Sequence, residues 1–240
     1  MKIDVIDNTL ICENNDLQQT LSYFKEFRQM PEFFEMAILE LLLDELEIEK
    51  KVPASFDTYL KQLPEDFVEQ SIININNKFN ANQEVKYNNF HLAYLLYYLP
   101  ANVFKIWKPL LDLHIRSVLK PNLKVLDVGT GPGSVPVGII EFYRSFAHNV
   151  KEIDFNLHFT LIEAEQKFLD IAEKMILSLR ANLPPNLNVT IDAVYCDMVT
   201  SNYTNELLDK YDIVTMSNFL TPNEGNNWKA MGLPDTVKLN

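Results

Sequence analysis

The run Val125-Leu126-Asp127-Val128-Gly129-Thr130-Gly131-Pro132-Gly133-Ser134 constrains the fold more than any other part of the chain. An apolar strand ends in an acid and enters a turn with three glycines in five residues. The whole chain has only 6 glycines in 240 residues. Placing half of them together marks backbone that must bend into left-handed space or lie close against something. Strand, glycine turn and following helix predict a ligand cradle, with N–H groups facing outward in front of a helix N-terminus.

The pattern around this turn separates the chain into two expected units. Residues 1–119 read as a helical N-terminal domain. Residues 1–12 alternate weakly and suit a short strand or an arm. Asp16 is placed to cap a helix over 17–30, and Pro31 opens a helix to about Lys51 with Phe34, Ile38, Leu41, Leu42 and Leu46 on one stripe. Further helices are expected over 55–63 and 64–79, a loop over 80–89, an aromatic helix over 91–99 ended by Pro100, and a helix over 101–119 kinked at Pro109. From residue 120 the period changes. Strands at 124–128, 156–163, 187–195 and 211–217 alternate with helices at 133–147, 165–181 and 203–209. This βαβαβαβ order predicts an α/β domain over 120–240, a doubly wound parallel sheet with helices on both faces. Ligands in such sheets bind beyond the strands' carboxyl ends. Residues 221–240 offer no further strand, so two expectations stand: the sheet's later strands are missing and the C-terminal part of the domain is incomplete, or the tail or a partner covers the edge of the fourth strand.

Bulk properties narrow the functional classes. Net charge is −12, shared equally between 1–120 (12 basic, 18 acidic) and 121–240 (9 basic, 15 acidic), so DNA is not an expected partner. One locally basic stretch exists: Lys105, Lys108, His114, Arg116, Lys120 and Lys124, with Asp112 its lone acid. Cys12 and Cys196 form no CxxC pair, so neither a zinc site nor a disulfide framework is expected. The N-terminus lacks signal- and transit-peptide character, and no apolar run reaches membrane-spanning length. A cytoplasmic location is therefore expected.

Three acids end three successive strands: Asp127, Glu163 and Asp197. A carboxylate at a strand end accepts hydrogen bonds from ribose hydroxyls. The turn misses the dinucleotide pattern G-x-G-x-x-G at Ser134. It matches Asp-x-Gly-x-Gly-x-Gly in full through Asp127, Gly129, Gly131 and Gly133. This resembles the first motif of class I S-adenosylmethionine-dependent methyltransferases, over roughly residues 120–220. That resemblance implies S-adenosylmethionine as cofactor. Asp127 would meet its amino group, and Gly129, Thr130, Gly131 and Gly133 its carboxypropyl chain. Glu163 would hold the ribose, Asp197 and the backbone N–H of Met198 the adenine, and Ser217 would line the transfer side. No particular catalytic residue and no metal follow from the residues.

A second resemblance starts upstream. Ala93-Tyr94-Leu95-Leu96-Tyr97-Tyr98-Leu99-Pro100-Ala101 and Ser217-Asn218-Phe219-Leu220 are similar to segments of the methyltransferase-like assembly factors of the mitochondrial small ribosomal subunit and their prokaryotic relatives. Tyr98 departs from that family's arginine, and its cysteine cluster has no counterpart here. The resemblance implies a methyltransferase acting on ribosomal RNA or in small-subunit assembly. The alternatives are a non-catalytic cofactor-binding assembly factor and a nicotinamide-dependent oxidoreductase. The methyl acceptor (RNA, protein or small molecule) is left open.

Overall fold

The computed structural model describes residues 3–12, 22, 30–64, 73–74, 77, 90–197 and 210–216. The helices expected over 17–30, 64–79 and 203–209 fall largely or wholly outside this set, as does the loop at 80–89. The N-terminal residues form a hairpin, β1 (Ile3–Ile6) and β2 (Thr9–Cys12), paired antiparallel. Its two-residue turn is Asp7-Asn8, both left-handed. These are the residue types that tolerate that region and match the twist of a hairpin.

Helix α1 covers Glu32–Glu45 and ends sooner than its apolar stripe suggests. Glu47 turns left-handed at φ 55°. The Ile48 N–H then reaches back to the Leu43 carbonyl (2.8 Å) and the Glu47 N–H to Asp44 (3.1 Å), closing a Schellman motif. Glycine would ordinarily stand there; here glutamate does, so the stop signal was invisible. Ser55 caps α2 (Phe56–Leu60), its hydroxyl accepting from the Thr58 N–H.

The aromatic segment is more broken than expected. After α3 (His91–Ala93) the chain widens into a π-helical turn over Tyr94–Tyr98, then continues as α4 (Leu99–Val103), a 3₁₀ turn over Phe104–Ile106, and α5 (Trp107–Ile115). Pro100 does not end a helix. The backbone stays right-handed helical on both sides of it, at Tyr98, Leu99 and Phe104. The carbonyl that would have received a Pro100 N–H lies in the preceding turn, which is where the helix widens. Pro109 falls in the first turn of α5, so the irregularity is at 104–106. Ser117, left-handed, closes α5 by the same Schellman device as Glu47.

Four strands form one parallel sheet in the order β5-β4-β3-β6: β3 (Asn122–Val128), β4 (Phe155–Glu163), β5 (Leu187–Tyr195) and β6 (Ile213–Thr215). Helix α6 (Ser134–Asn149) joins β3 to β4, and α7 (Gln166–Arg180) joins β4 to β5. Both connections step the same way along the sheet. Right-handed crossovers therefore put both helices on one face. Their apolar residues pack with Leu123, Val125, Leu157, Phe159 and Leu161 in the main core. That core also contains Leu10, Phe34, Leu42, Leu95 and Trp107, so it runs across the point at 120 where the sequence period changes.

Helices on both faces were expected; among the described residues they cover one. The opposite face carries a small apolar cluster near the strands' carboxyl ends, Leu126, Val128 and Ile162. Toward the amino ends that face is polar. Asn156 donates to Asn122 (2.7 Å), and His158 lies 2.9 Å from Thr190 Oγ1 and 3.2 Å from Asp192.

The N-terminal helices pack on the outer side of α6 and α7. Gly138 makes this approach possible. A Cβ there would stand 2.1 Å from the Val103 carbonyl oxygen and 2.7 Å from Ile106 Cγ2. The Gly138 carbonyl accepts a bond from the buried Trp107 indole N–H (2.9 Å). Lys174 and His91 both reach Glu45, tying α7 and α3 to α1. No helix among the described residues is long and apolar enough to cross a membrane.

Two outcomes follow. Gly138→Ala forces α4 off α6 and should cost roughly 1–3 kcal/mol by overpacking, read as a lowered urea midpoint. His114 is 2% exposed, packs on Phe146, and neither ring nitrogen finds a hydrogen-bond partner among the described residues. Burial lowers its pKa below the ordinary 6.5. The unfolded chain then binds the proton more readily, so stability falls as pH drops below 6.5. His114→Phe should remove that acid sensitivity in pH-dependent urea unfolding. An unchanged acid limb would show that the imidazole is not its source.

Candidate functional site

The strand order reverses between β3 and β6, which opens a crevice at their carboxyl ends. The glycine turn stands there. Gly129, Gly131 and Gly133 adopt φ of 68°, 53° and 90°, left-handed at every second residue. An L side chain at each would add strain of roughly 1–2 kcal/mol. Three glycines are thus required by backbone shape alone.

The turn's donors do not face outward as the sequence suggested. The Gly129 and Thr130 N–H groups both donate to the Ile162 carbonyl (2.8 and 3.2 Å), Gly133 donates to the Thr130 carbonyl (3.0 Å), and Gly131 donates to the Glu163 carboxylate (2.8 Å). Pro132 has no N–H. Every donor from 129 to 133 is therefore spent inside the molecule. The reason is the β3–β4 register, which places Val128 beside Ile162 and carries the turn across the end of β4.

Asp127 and Thr130 face inward. Asp127 is 1% exposed and Thr130 5%. The carboxylate accepts from Thr130 Oγ1 (2.7 Å) on one oxygen and from Thr215 Oγ1 (2.6 Å) on the other. Burial pushes its pKa up to about 6, against the two hydroxyl bonds that lower it and with a smaller raising effect from Glu163. Glu163 ends β4 partly exposed. Its second oxygen accepts from the Ala164 and Glu165 N–H groups (2.9 and 3.1 Å). Burial raises its pKa too, opposed by those backbone bonds.

Among the described residues, its own chain neighbours aside, no atom lies within 4 Å of where the Gly131 Cβ would stand. Gly133 sits against α7, with Ala172 Cβ 3.3 Å from its own Cβ position. The turn thus has a closed side at Gly133 and an open side at Gly131, where Glu163 stands. Asp197 is exposed just beyond β5, and the neighbouring Cys196 N–H bonds to the Glu163 carbonyl (2.9 Å), so Glu163 and Asp197 end adjacent strands. Met198 and Ser217 lie outside the described residues. Thr215 was not singled out from the sequence; its signal was a hydroxyl in register with Asp127 across β3–β6.

The basic stretch disperses on folding. His114 is buried, and Lys120 pairs with Asp212 (2.6 Å). The Lys124 N–H also bonds Asp212 (2.8 Å). Lys105, Lys108 and Arg116 remain exposed on or beside α5.

Fold and crevice together define a Rossmann-like α/β protein with its glycine turn at the switch point. No protein-family model matches the chain, and no curated protein matches it. Among solved structures it is similar to a protein from Listeria monocytogenes, provisionally assigned as a class I S-adenosylmethionine-dependent methyltransferase. Identity is 14%, over 85% of this chain and 59% of that one, with a TM-score of 0.31. It is also similar to the trans-methyltransferase CalH in complex with SAH, at 13% identity over 86% and 64% of the two chains, with a TM-score of 0.27. The chain thus spans about three fifths of the length of each, and both overlays are too loose to carry an argument about its site.

The buried acid generates a pH prediction. The folded pKa of Asp127, about 6, exceeds its ordinary 3.8, so the native state holds the proton more tightly and stability is lost as pH rises between these values. Asp127→Asn should flatten that part of the stability–pH profile. A profile identical to wild type would mean Asp127 is charged and unstrained throughout.

Proposed function

We propose that this chain binds S-adenosylmethionine on the open side of the glycine turn and serves in methyl transfer. One observation carries the reading: three left-handed glycines bring backbone to an open face at a topological switch point, with Glu163 bonded to Gly131 at its rim. A dinucleotide needs free backbone N–H groups for its pyrophosphate. Here the N–H groups of Gly129, Thr130 and Gly133 are bonded to carbonyls of the chain, and the third glycine of the dinucleotide pattern is replaced by Ser134, so the nicotinamide reading has less support.

The residues fit a nucleoside carrying an aliphatic arm. Glu163 is an acceptor placed to exchange a backbone N–H for ribose hydroxyls. Asp197, on the next strand end, is an acceptor placed for an adenine amine. Gly131, without a side chain, leaves room for the arm. When bound, the cofactor supplies a methyl group on a sulfonium, and transfer is an in-line displacement helped chiefly by alignment. The chain's part is to hold both reactants and exclude water.

The acceptor class we propose is ribosomal RNA or a component of small-subunit assembly. Its support is the likeness of residues 93–101 and 217–220 to the assembly factors. Lys105, Lys108, Arg116 and Lys124 are exposed cations of the basic stretch that could meet phosphates. A non-catalytic assembly factor that keeps the cofactor site is the second reading.

Calorimetry with S-adenosylmethionine, S-adenosylhomocysteine and NAD tests the proposal. Both sulfur ligands should bind, and Glu163→Ala should weaken them by roughly 1–3 kcal/mol, the worth of a charge-assisted hydrogen bond. NAD binding with no response to either sulfur ligand would overturn it. Labelled methyl transfer to ribosomal RNA separates enzyme from assembly factor.

A further inference from the structure

We infer that Asp127 is a positioning residue: its carboxylate clamps the glycine turn to the end of β6 through Thr130 and Thr215, and it does not touch the ligand's ammonium group. The inference rests on the S-adenosylmethionine reading for its ligand, but the clamp itself is drawn from contacts within the chain.

Each oxygen of Asp127 already holds one hydroxyl, Thr130 at 2.7 Å and Thr215 at 2.6 Å. The residue is 1% exposed and Thr130 5%, so the group is enclosed. Each oxygen keeps a second lone pair, but at 1% exposure an ammonium group would have to open the crevice floor to reach it. Glu163 is the contrasting acid. It lies at the rim and holds backbone donors that a diol can replace.

The position of the clamp gives it a role. Strand β6 is short and pairs with β3 over three residues, the last pair being Asp127 with Thr215. Thr215 also approaches the Leu126 carbonyl (3.3 Å). Thr130 belongs to the turn, on the cofactor side. Thr215 ends β6, which leads toward the proposed transfer side. The carboxylate therefore fixes the spacing of the two walls between which in-line displacement would be aligned. Neutral hydroxyls on both sides add no charge to the crevice.

The test compares S-adenosylhomocysteine with 5′-methylthioadenosine, which lacks the ammonium-bearing arm. Dissociation constants are measured for wild type, Asp127→Asn, Thr215→Val, Thr215→Ser and the Asp127→Asn/Thr215→Val double variant. The clamp predicts that Thr215→Val weakens both ligands alike, on the order of tenfold for a lost bond to a carboxylate. Thr215→Ser restores affinity, and the double variant is no worse than Asp127→Asn alone. The opposite pattern overturns it: Thr215→Val binding like wild type, while Asp127→Asn loses S-adenosylhomocysteine and spares 5′-methylthioadenosine. Wild type binding neither ligand would retire the cofactor reading instead. The clamp is then decided by urea midpoints of the same variants. Non-additive effects of Asp127→Asn and Thr215→Val support it, and additive effects overturn it.

Discussion

The glycine turn is fastened to the end of β4, and the site depends on that attachment. Ile162 gives one carbonyl to two successive N–H groups, and Glu163 takes the next donor with its side chain. A turn with three left-handed residues has little intrinsic preference for one shape. Bonds from the neighbouring strand select it. Because they come from β4, the register of the sheet decides where the turn points. A one-residue slip would move Glu163 to the opposite face and leave Gly131 without its acceptor.

The turn is also buttressed from behind. Gly133 lies against Ala172 of α7, and Gly138 lets α4 lie against α6. The same N-terminal layer buries Trp107 on the Gly138 carbonyl. The helical segment before residue 120 therefore shares a core with the sheet and braces the two helices that follow the strands of the site. Losing a buried aromatic from such a layer costs about 3–5 kcal/mol, a large part of a domain's stability.

Much of this was legible in the sequence. The strands at 124–128, 156–163 and 187–195 and the two helices between them stand close to where apolar period and turn residues put them, and the acids fall at or just beyond strand ends. What was not legible depends on contacts between distant residues. The inward use of the turn's donors needs the β3–β4 register. Thr215 matters only because it stands opposite Asp127. Gly138 is an ordinary helical glycine until Val103 is brought within reach of it. Glu47 and Ser117 end helices in left-handed geometry without glycine, so neither stop could be read from composition. Pro100 reads as a helix end, yet the helix widens in the turn before it and continues past a residue that has no N–H.

The proposed function stands or falls with Glu163 and the open side of Gly131 forming one wall of a nucleoside site. A crystal structure of the protein with S-adenosylhomocysteine tests it most directly. Ribose hydroxyls should lie within hydrogen-bond distance of the Glu163 carboxylate and the ligand's aliphatic arm beside Gly131, with Asp127 still held by Thr130 and Thr215. A ligand seated away from the β3–β6 crevice, or leaving Glu163 bonded only to backbone, would contradict it.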